Sequence, residues 1–325
     1  MVEPPARPPF LRFFDEKGAT IYAESTLGPL SDRCQDPLVA AGGQLFALTQ
    51  SSVYVVDAAS GAQLLSVPYS CIGQTATSST WIGIQSDGEK TVLLRQSLPW
   101  HGEPVKIVLN EDANTVLPVV ALPKSSCFLV GTREGSVYRV EDCEARFLER
   151  YDDERLVRLA SLDDGSFVLL SHRGRSAVIR VLRLEGSSLH EMKAREIDDL
   201  SAPASQLCTD GKVLYIADGA GQLVYRFELP SLAVPVRLHC PGRGELGLVR
   251  FAGVPYPFVA VGESGDTRGS RFLFCDKQVD NGAFGAQIGH FQRRPCRLVA
   301  SESALVTVQH YSGQYSVQIH EPQGV

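Results

Sequence analysis

A unit of two short strands joined by a turn recurs along this chain, and its clearest copy lies between Asp210 and Leu229. A tight turn at Asp210-Gly211 precedes the apolar run Val213–Ala217, and a polar, glycine-rich turn then leads into an alternating strand from Leu223. Two short strands cannot bury an apolar face alone, so copies of this unit must pack against one another. The pattern therefore predicts a repeat protein built from β-strands.

The copies recur with a nearly constant period. Their first strands are predicted to start near positions 38, 80, 118, 156, 205, 247 and 296. A spacing of about 40 residues is typical of the four-stranded blades of β-propellers. The chain ends three strands into the seventh copy, and a strand or hairpin within Leu11–Glu24 is available to complete it. The sequence therefore predicts an all-β, seven-bladed β-propeller of four-stranded antiparallel blades, closed by N- and C-terminal strands that remove two sheet edges.

Two copies carry recognisable repeat motifs. The fifth reads Asp-Gly-Lys-Val-Leu-Tyr-Ile-Ala-Asp from Asp210, followed by Val-Tyr-Arg-Phe from Val224, and it resembles an NHL repeat. The first reads Val-Tyr-Val-Val-Asp-Ala-Ala-Ser-Gly from Val53 and resembles a quinone-type propeller repeat. The chain as a whole resembles the WD-repeat, NHL-repeat and quinoprotein-like group of β-propellers, although it contains no Trp-Asp dipeptide. The resemblance implies the fold group and no specific family.

Length and composition are consistent with one large domain. Of the 325 residues, 44% are hydrophobic and 21% are charged, as is usual for globular proteins. Residues 1–9 contain four prolines and are predicted to be a disordered leader before a single propeller domain over residues 10–325. The apolar runs are only strand-sized and no secretory signal core is evident. We therefore expect a cytoplasmic or nuclear protein without membrane insertion.

The charged and metal-binding residue types form none of the common linear motifs. None of the eight cysteines belongs to a Cys-x-x-Cys pair, and none of the seven histidines has His-x-x-x-His spacing. In a reducing compartment such cysteines are expected to be small buried residues. The net charge of −6 disfavours broad capture of nucleic acid. We therefore predict no cofactor and no catalytic residues.

Candidate binding residues lie in the predicted loops between the second and third strands of each copy. These loops are expected to share one face of the propeller, where functional residues are usually found. Arginine, tyrosine and histidine are enriched at protein interfaces, whereas the alternative for each residue is an ordinary solvated turn. The sixth copy has the longest such loop, Glu263–Ser270, and is the preferred contact. The predicted partner-binding residues are Arg133, Arg173, Arg175, Glu263, Asp266, Arg268, His310 and Tyr311.

Three functions remain open on the sequence alone. The first is a non-catalytic scaffold that binds one or more proteins, as a subunit of a larger intracellular complex. The second is a metal-dependent hydrolase or lactonase, in which Asp87, Asp218 and Glu263 would converge on the central channel. The third is single-stranded RNA binding through the basic segments Arg173-Gly174-Arg175 and Gln292-Arg293-Arg294.

Overall fold

The computed structural model describes most of the chain from residue 21 onward. The described ranges are 21–27, 38–58, 60, 62–87, 90–109, 116–122, 127–198, 200, 204, 206–218, 223–239, 244–251, 254–262, 270–274, 287–291, 295–300, 305–311 and 314–320. Side chains are described within residues 38–238 and at Leu246. The predicted leader, residues 1–9, and the first part of the predicted hairpin, residues 11–20, lie outside these ranges.

All regular elements of the described residues are β-strands. The first is Ile21–Leu27 (β1), and the next eight are Leu38–Ala41 (β2), Gln44–Leu48 (β3), Val53–Asp57 (β4), Gln63–Val67 (β5), Cys71–Ala76 (β6), Thr80–Asp87 (β7), Lys90–Ser97 (β8) and Val105–Leu109 (β9). Eight more are Val116–Ala121 (β10), Phe128–Thr132 (β11), Ser136–Glu141 (β12), Glu144–Arg150 (β13), Arg155–Ser161 (β14), Ser166–Arg173 (β15), Ser176–Glu185 (β16) and Ser188–Ile197 (β17).

The remaining strands follow the same up-and-down order. They are Gln206–Thr209 (β18), Val213–Ala217 (β19), Leu223–Glu228 (β20), Val236–His239 (β21), Gly244–Phe251 (β22), Val254–Gly262 (β23), Ser270–Phe274 (β24), Gln287–Phe291 (β25), Pro295–Ala300 (β26), Leu305–Tyr311 (β27) and Gln314–His320 (β28). Consecutive strands pair antiparallel in sets of four, beginning at β2, β6, β10, β14, β18 and β22. The last set, β26–β28, is completed by β1, which pairs antiparallel with β28.

The predicted count of seven blades requires a correction. A blade is a sheet whose two faces are buried against its neighbours, and this packing is described for five sheets of four strands, which together span β2–β21. The sheets β22–β25 and β26–β28 with β1 are defined by backbone pairing alone. We therefore count five blades and refer to the other two as sheets.

The first strand of each set is innermost. The strands β2, β6, β10, β14, β18, β22 and β26 each lie beside the first strand of the next set, and β26 lies beside β2. Second strands such as β11 and β19 are buried along their whole length, because they have blade faces on both sides. Fourth strands such as β5 and β17 are largely exposed. Apolar residues therefore lie mainly on the inner strands, and polar residues lie mainly on the outer edge.

The second blade differs from the sequence prediction. The strand around Trp81 was predicted to be the first of its copy, but it is the second, β7. The first strand is Cys71–Ala76, whose sequence contains Gly73 and Gln74 and lacks an apolar run. Gln74 is buried, accepts a hydrogen bond from Trp81 Nε1 at 2.8 Å and donates to the Phe46 carbonyl at 3.1 Å. Satisfied hydrogen bonds therefore allow a polar residue where the pattern required an apolar one.

Arginines connect neighbouring blades at their outer edge. Arg139 on β12 donates to the Gly186 carbonyl in the β16–β17 turn at 2.7 Å, and Arg95 on β8 donates to the Asp142 carbonyl in the β12–β13 turn. Arg195 on β17 donates to the Leu232 carbonyl beyond β20 at 2.7 Å. Each bond joins a strand of one blade to the outer turn of the next blade, so the blades are linked by polar contacts as well as by their apolar cores.

Candidate protein-binding face

Three loops of the third and fourth blades form one continuous surface, here called the crossover face. They are the β11–β12 loop at 133–135, the connection from β13 to β14 at 151–154, and the β15–β16 turn at 174–175 together with Arg173, the last residue of β15. Gly135 has a φ of +91°, and a Cβ there would lie 2.2 Å from the Tyr151 carbonyl oxygen. The Tyr151 amide also donates to the Gly135 carbonyl at 3.0 Å. A glycine is therefore required where the first loop meets the connection.

A buried carboxylate holds the connection to the fourth blade. The Glu154 side chain is 1% exposed, and its two oxygens accept four hydrogen bonds. The donors are Ser171 Oγ at 2.6 Å, Arg173 Nη2 at 2.6 Å, and Arg180 Nη1 and Nη2 at 2.5 and 2.7 Å. A buried charge needs this degree of pairing to offset its loss of hydration.

Arg180 is the central cation of this cluster. It lies in β16 on the side facing the third blade, and its side chain is 9% exposed. Arg180 Nε donates to Glu191 at 2.9 Å, and its guanidinium carbon lies 4.7 Å from the centre of the Tyr151 ring. Burial alone would raise the pKa of Glu154, but hydrogen bonds from Arg180, Ser171 and Arg173 outweigh it and hold that pKa below its ordinary value.

The three predicted arginines on this face differ in their surroundings. Arg173 is half exposed and pairs with Glu154 at 2.6 Å and with Glu196 at 3.8 Å. Arg133 and Arg175 are exposed at the tips of their loops. The structure thus brings the three arginines onto one surface. Arg173 is held by the buried Glu154, and Arg133 and Arg175 project from neighbouring turns.

Of the other predicted binding residues, the structure describes only the backbone of His310 and Tyr311. Glu263, Asp266 and Arg268 lie outside the described residues. His310 and Tyr311 belong to strand β27 rather than to a loop, and they are opposite Tyr315 and Gln314 in β28. Their proposed role in partner binding stays a prediction.

Of the three residues suggested for a channel metal, the structure describes the side chain of Asp218 alone. Asp218 is 2% exposed and accepts a hydrogen bond at 3.2 Å from the amide of Leu223, the first residue of β20. Glu263 lies outside the described ranges, and only the backbone of Asp87 is described, at the end of β7. Among the residues whose positions are described, no group of three His, Cys, Asp or Glu side chains could hold a metal ion.

Sequence reasoning missed Glu154, Ser171 and Arg180. Glu154 ends the segment Asp152-Asp153-Glu154, which reads as a solvated acidic turn. The available signal was Arg180, because a single arginine interrupts the apolar run Ala-Val-Ile-Arg-Val-Leu of β16. A charged residue in a strand that is otherwise buried indicates a buried partner of opposite charge.

The fold is similar to that of two solved structures. One is the β-propeller domain of Cps50 (Swd1) from Myceliophteria thermophila, with a TM-score of 0.64, 10% identity and coverage of 90% of this chain and 98% of that one. The other is a chain of the mitotic checkpoint complex, with a TM-score of 0.61, 12% identity and coverage of 93% and 94%. At these identities the likeness shows the fold alone, and it confirms the predicted resemblance to β-propellers.

The sequence comparisons add no family. No family model and no curated protein matches the chain. In the described part of the structure, no helix is long and apolar enough to cross a membrane.

Proposed function

We propose that this protein is a non-catalytic β-propeller scaffold that binds one or more proteins as a subunit of a larger intracellular complex. The observation that carries the proposal is the crossover face, where exposed Arg133 and Arg175 lie beside Arg173, whose guanidinium is held by the buried carboxylate of Glu154. Arginine is enriched at the energetic centres of protein interfaces, and a side chain that is already fixed loses less conformational entropy on binding.

The surroundings of Arg173 favour a protein partner over RNA. Its guanidinium already faces Glu154 and Glu196, so much of its positive charge is neutralised within the face. Exposed acids at Glu134, Asp152 and Asp153 lie on the same face as the arginines. A surface of mixed charge complements a protein of mixed charge better than a polyanion, which requires a continuous basic groove.

The structural neighbours support the scaffold proposal less specifically. One of them is a chain of a structure named as a complex, the mitotic checkpoint complex. A propeller presents loops of different sequence around one face, so a single chain can contact several partners. Glu263, Asp266, Arg268, His310 and Tyr311 are proposed to extend the same binding role beyond the crossover face.

The test is affinity purification from native cells with quantitative mass spectrometry. The wild-type chain is compared with Arg175→Glu on the crossover face and with Arg146→Glu, a matched charge reversal in the outer strand β13. We expect a stoichiometric partner that is lost with Arg175→Glu and kept with Arg146→Glu. Recovery of the wild-type chain alone, or equal loss with both variants, would overturn the proposal.

A further inference from the structure

A second charged surface lies on the outer edge of the fourth blade, away from the crossover face. Strand β17 runs for 10 residues, and its side chains are mostly exposed. A bulge at Met192 shifts the register, because Val181 is opposite Lys193 while Leu182 is opposite Glu191. Because Met192 has no cross-strand partner, the alternation of side chains between the two faces of the sheet restarts after it. His190 before the bulge and Lys193 after it therefore point to the same face.

The division separates the charges of β17 by sign. Cross-strand partners point to the same side of a sheet, and Val181, Ile179 and Ala177 of β16 face the fifth blade. Their partners Lys193, Arg195 and Ile197, together with His190 opposite Arg183, therefore face the fifth blade as well. The acids Glu191 and Glu196 lie on the opposite flank and pair with Arg180 and Arg173.

His190, Lys193 and Arg195 thus form a basic flank of β17. His190 and Lys193 are exposed, and neither has an ion-pair partner among the described residues. Arg195 donates to the neutral Leu232 carbonyl and lies 5.9 Å from the Phe227 ring centre, so its charge is retained. Two acids lie at the end of this flank: Asp164 pairs with Arg183, and Glu185 is the last residue of β16.

The fifth blade contributes a further cation, Arg237, on the face that it turns toward the basic flank. Arg237 on β21 is opposite Tyr225 of β20, whose ring is part of the core between the two blades, and the guanidinium carbon lies 5.9 Å from the centre of that ring. Phe227 and Tyr225 are each 1% exposed, so the described part of this flank offers no exposed ring on which a base could stack.

We propose that the basic flank binds an extended acidic segment of a partner protein. Lys193 and Arg195 are two residues apart along a strand and therefore about 7 Å apart, which is the repeat of alternate side chains in an extended peptide. A segment with carboxylates at alternate positions places one opposite each cation, and charge complementarity then fixes its register. This inference rests on the proposed scaffold function and adds a second binding site to it. If the basic flank does not bind an acidic segment, the proposal for the crossover face still stands.

The test measures binding of a labelled peptide of alternating Glu and Val to the full-length chain by fluorescence anisotropy. The matched probes are the same peptide with Gln in place of Glu and a single-stranded RNA oligonucleotide. We expect the Glu peptide alone to bind, with an affinity that falls as salt is raised. Lys193→Glu is expected to weaken binding about tenfold, whereas Lys106→Glu on outer strand β9 leaves it unchanged.

Four results would overturn this inference. They are the absence of binding by the Glu peptide at low salt, equal binding of the Gln peptide, an equal effect of Lys106→Glu, and tighter binding of the RNA than of the peptide. Loss of the affinity-purified partner with Arg175→Glu is scored independently, so failure of the peptide experiment and failure of the scaffold proposal are distinguishable.

Discussion

Removal of the Glu154 carboxylate is predicted to destabilise the junction between the third and fourth blades. Glu154→Ala abolishes four hydrogen bonds and leaves the Arg180 guanidinium, 9% exposed, with Glu191 as its one remaining carboxylate in the described cluster. Breaking a buried ion pair by removing one partner costs about 3–5 kcal/mol. For a domain of this size, 1 kcal/mol corresponds to about 2 °C, so the apparent melting temperature should fall by about 6–10 °C.

The assay is a thermal melt at a fixed scan rate, with Glu144→Ala as the control. Glu144 pairs with Arg146 on β13, but both side chains are more than two-thirds exposed, so its loss is expected to leave the melting temperature unchanged. The double variant Glu154→Leu/Arg180→Met should recover part of the lost stability, because an apolar pair can replace a buried ion pair at little cost. Equal effects of Glu154→Ala and Glu144→Ala would show that the buried carboxylate does not stabilise this junction.

Three other predictions concern the same blades. The folded pKa of Glu154 is lowered, so its contribution to stability is complete above the ordinary pKa of glutamate and is lost as the pH falls through the lower folded value; acid unfolding curves of Glu154→Gln should lack this component. Gly135→Ala should lower the melting temperature more than Gly165→Ala, because both have positive φ but only Gly135 meets a carbonyl oxygen at 2.2 Å. Peptide mapping after thiol labelling should find Cys143 modified in the native protein, and the buried Cys71, Cys127 and Cys208 modified only on unfolding; native labelling of the buried thiols would contradict the described core.

Strand positions were predictable where local pattern and turn chemistry agree. The start of β2 and the bounds of β19 were predicted correctly, because each strand is bounded by a turn containing glycine: Gly42-Gly43 follows β2, and Asp210-Gly211 precedes β19. Strand β6 was missed because its buried Gln74 is satisfied by Trp81 and Phe46, which lie elsewhere in the sequence. A local pattern cannot show a hydrogen bond between distant residues, so the first strand of the second blade was assigned wrongly.

The sequence could predict which loops form the candidate site, but it could not predict the buried carboxylate of Glu154 that holds Arg173 in place. Arg133, Arg173 and Arg175 were chosen because their loops follow second strands, and topology alone places those loops at one end of the blades. The carboxylate that fixes Arg173 is 19 residues away in sequence and comes from the preceding connection. Its role follows from burial, which the acidic segment Asp152-Asp153-Glu154 does not reveal.

Hydrogen exchange with mass spectrometry on the purified complex tests the scaffold proposal most directly. Exchange in the free chain is compared with exchange in the complex for peptides that contain residues 133–135, 151–154 and 173–175, and for peptides that contain the opposite turns at 142–144 and 163–165. We expect slower exchange in the first group on complex formation and no change in the second. Protection confined to the opposite turns, or identical exchange throughout, would contradict the crossover face as the binding surface.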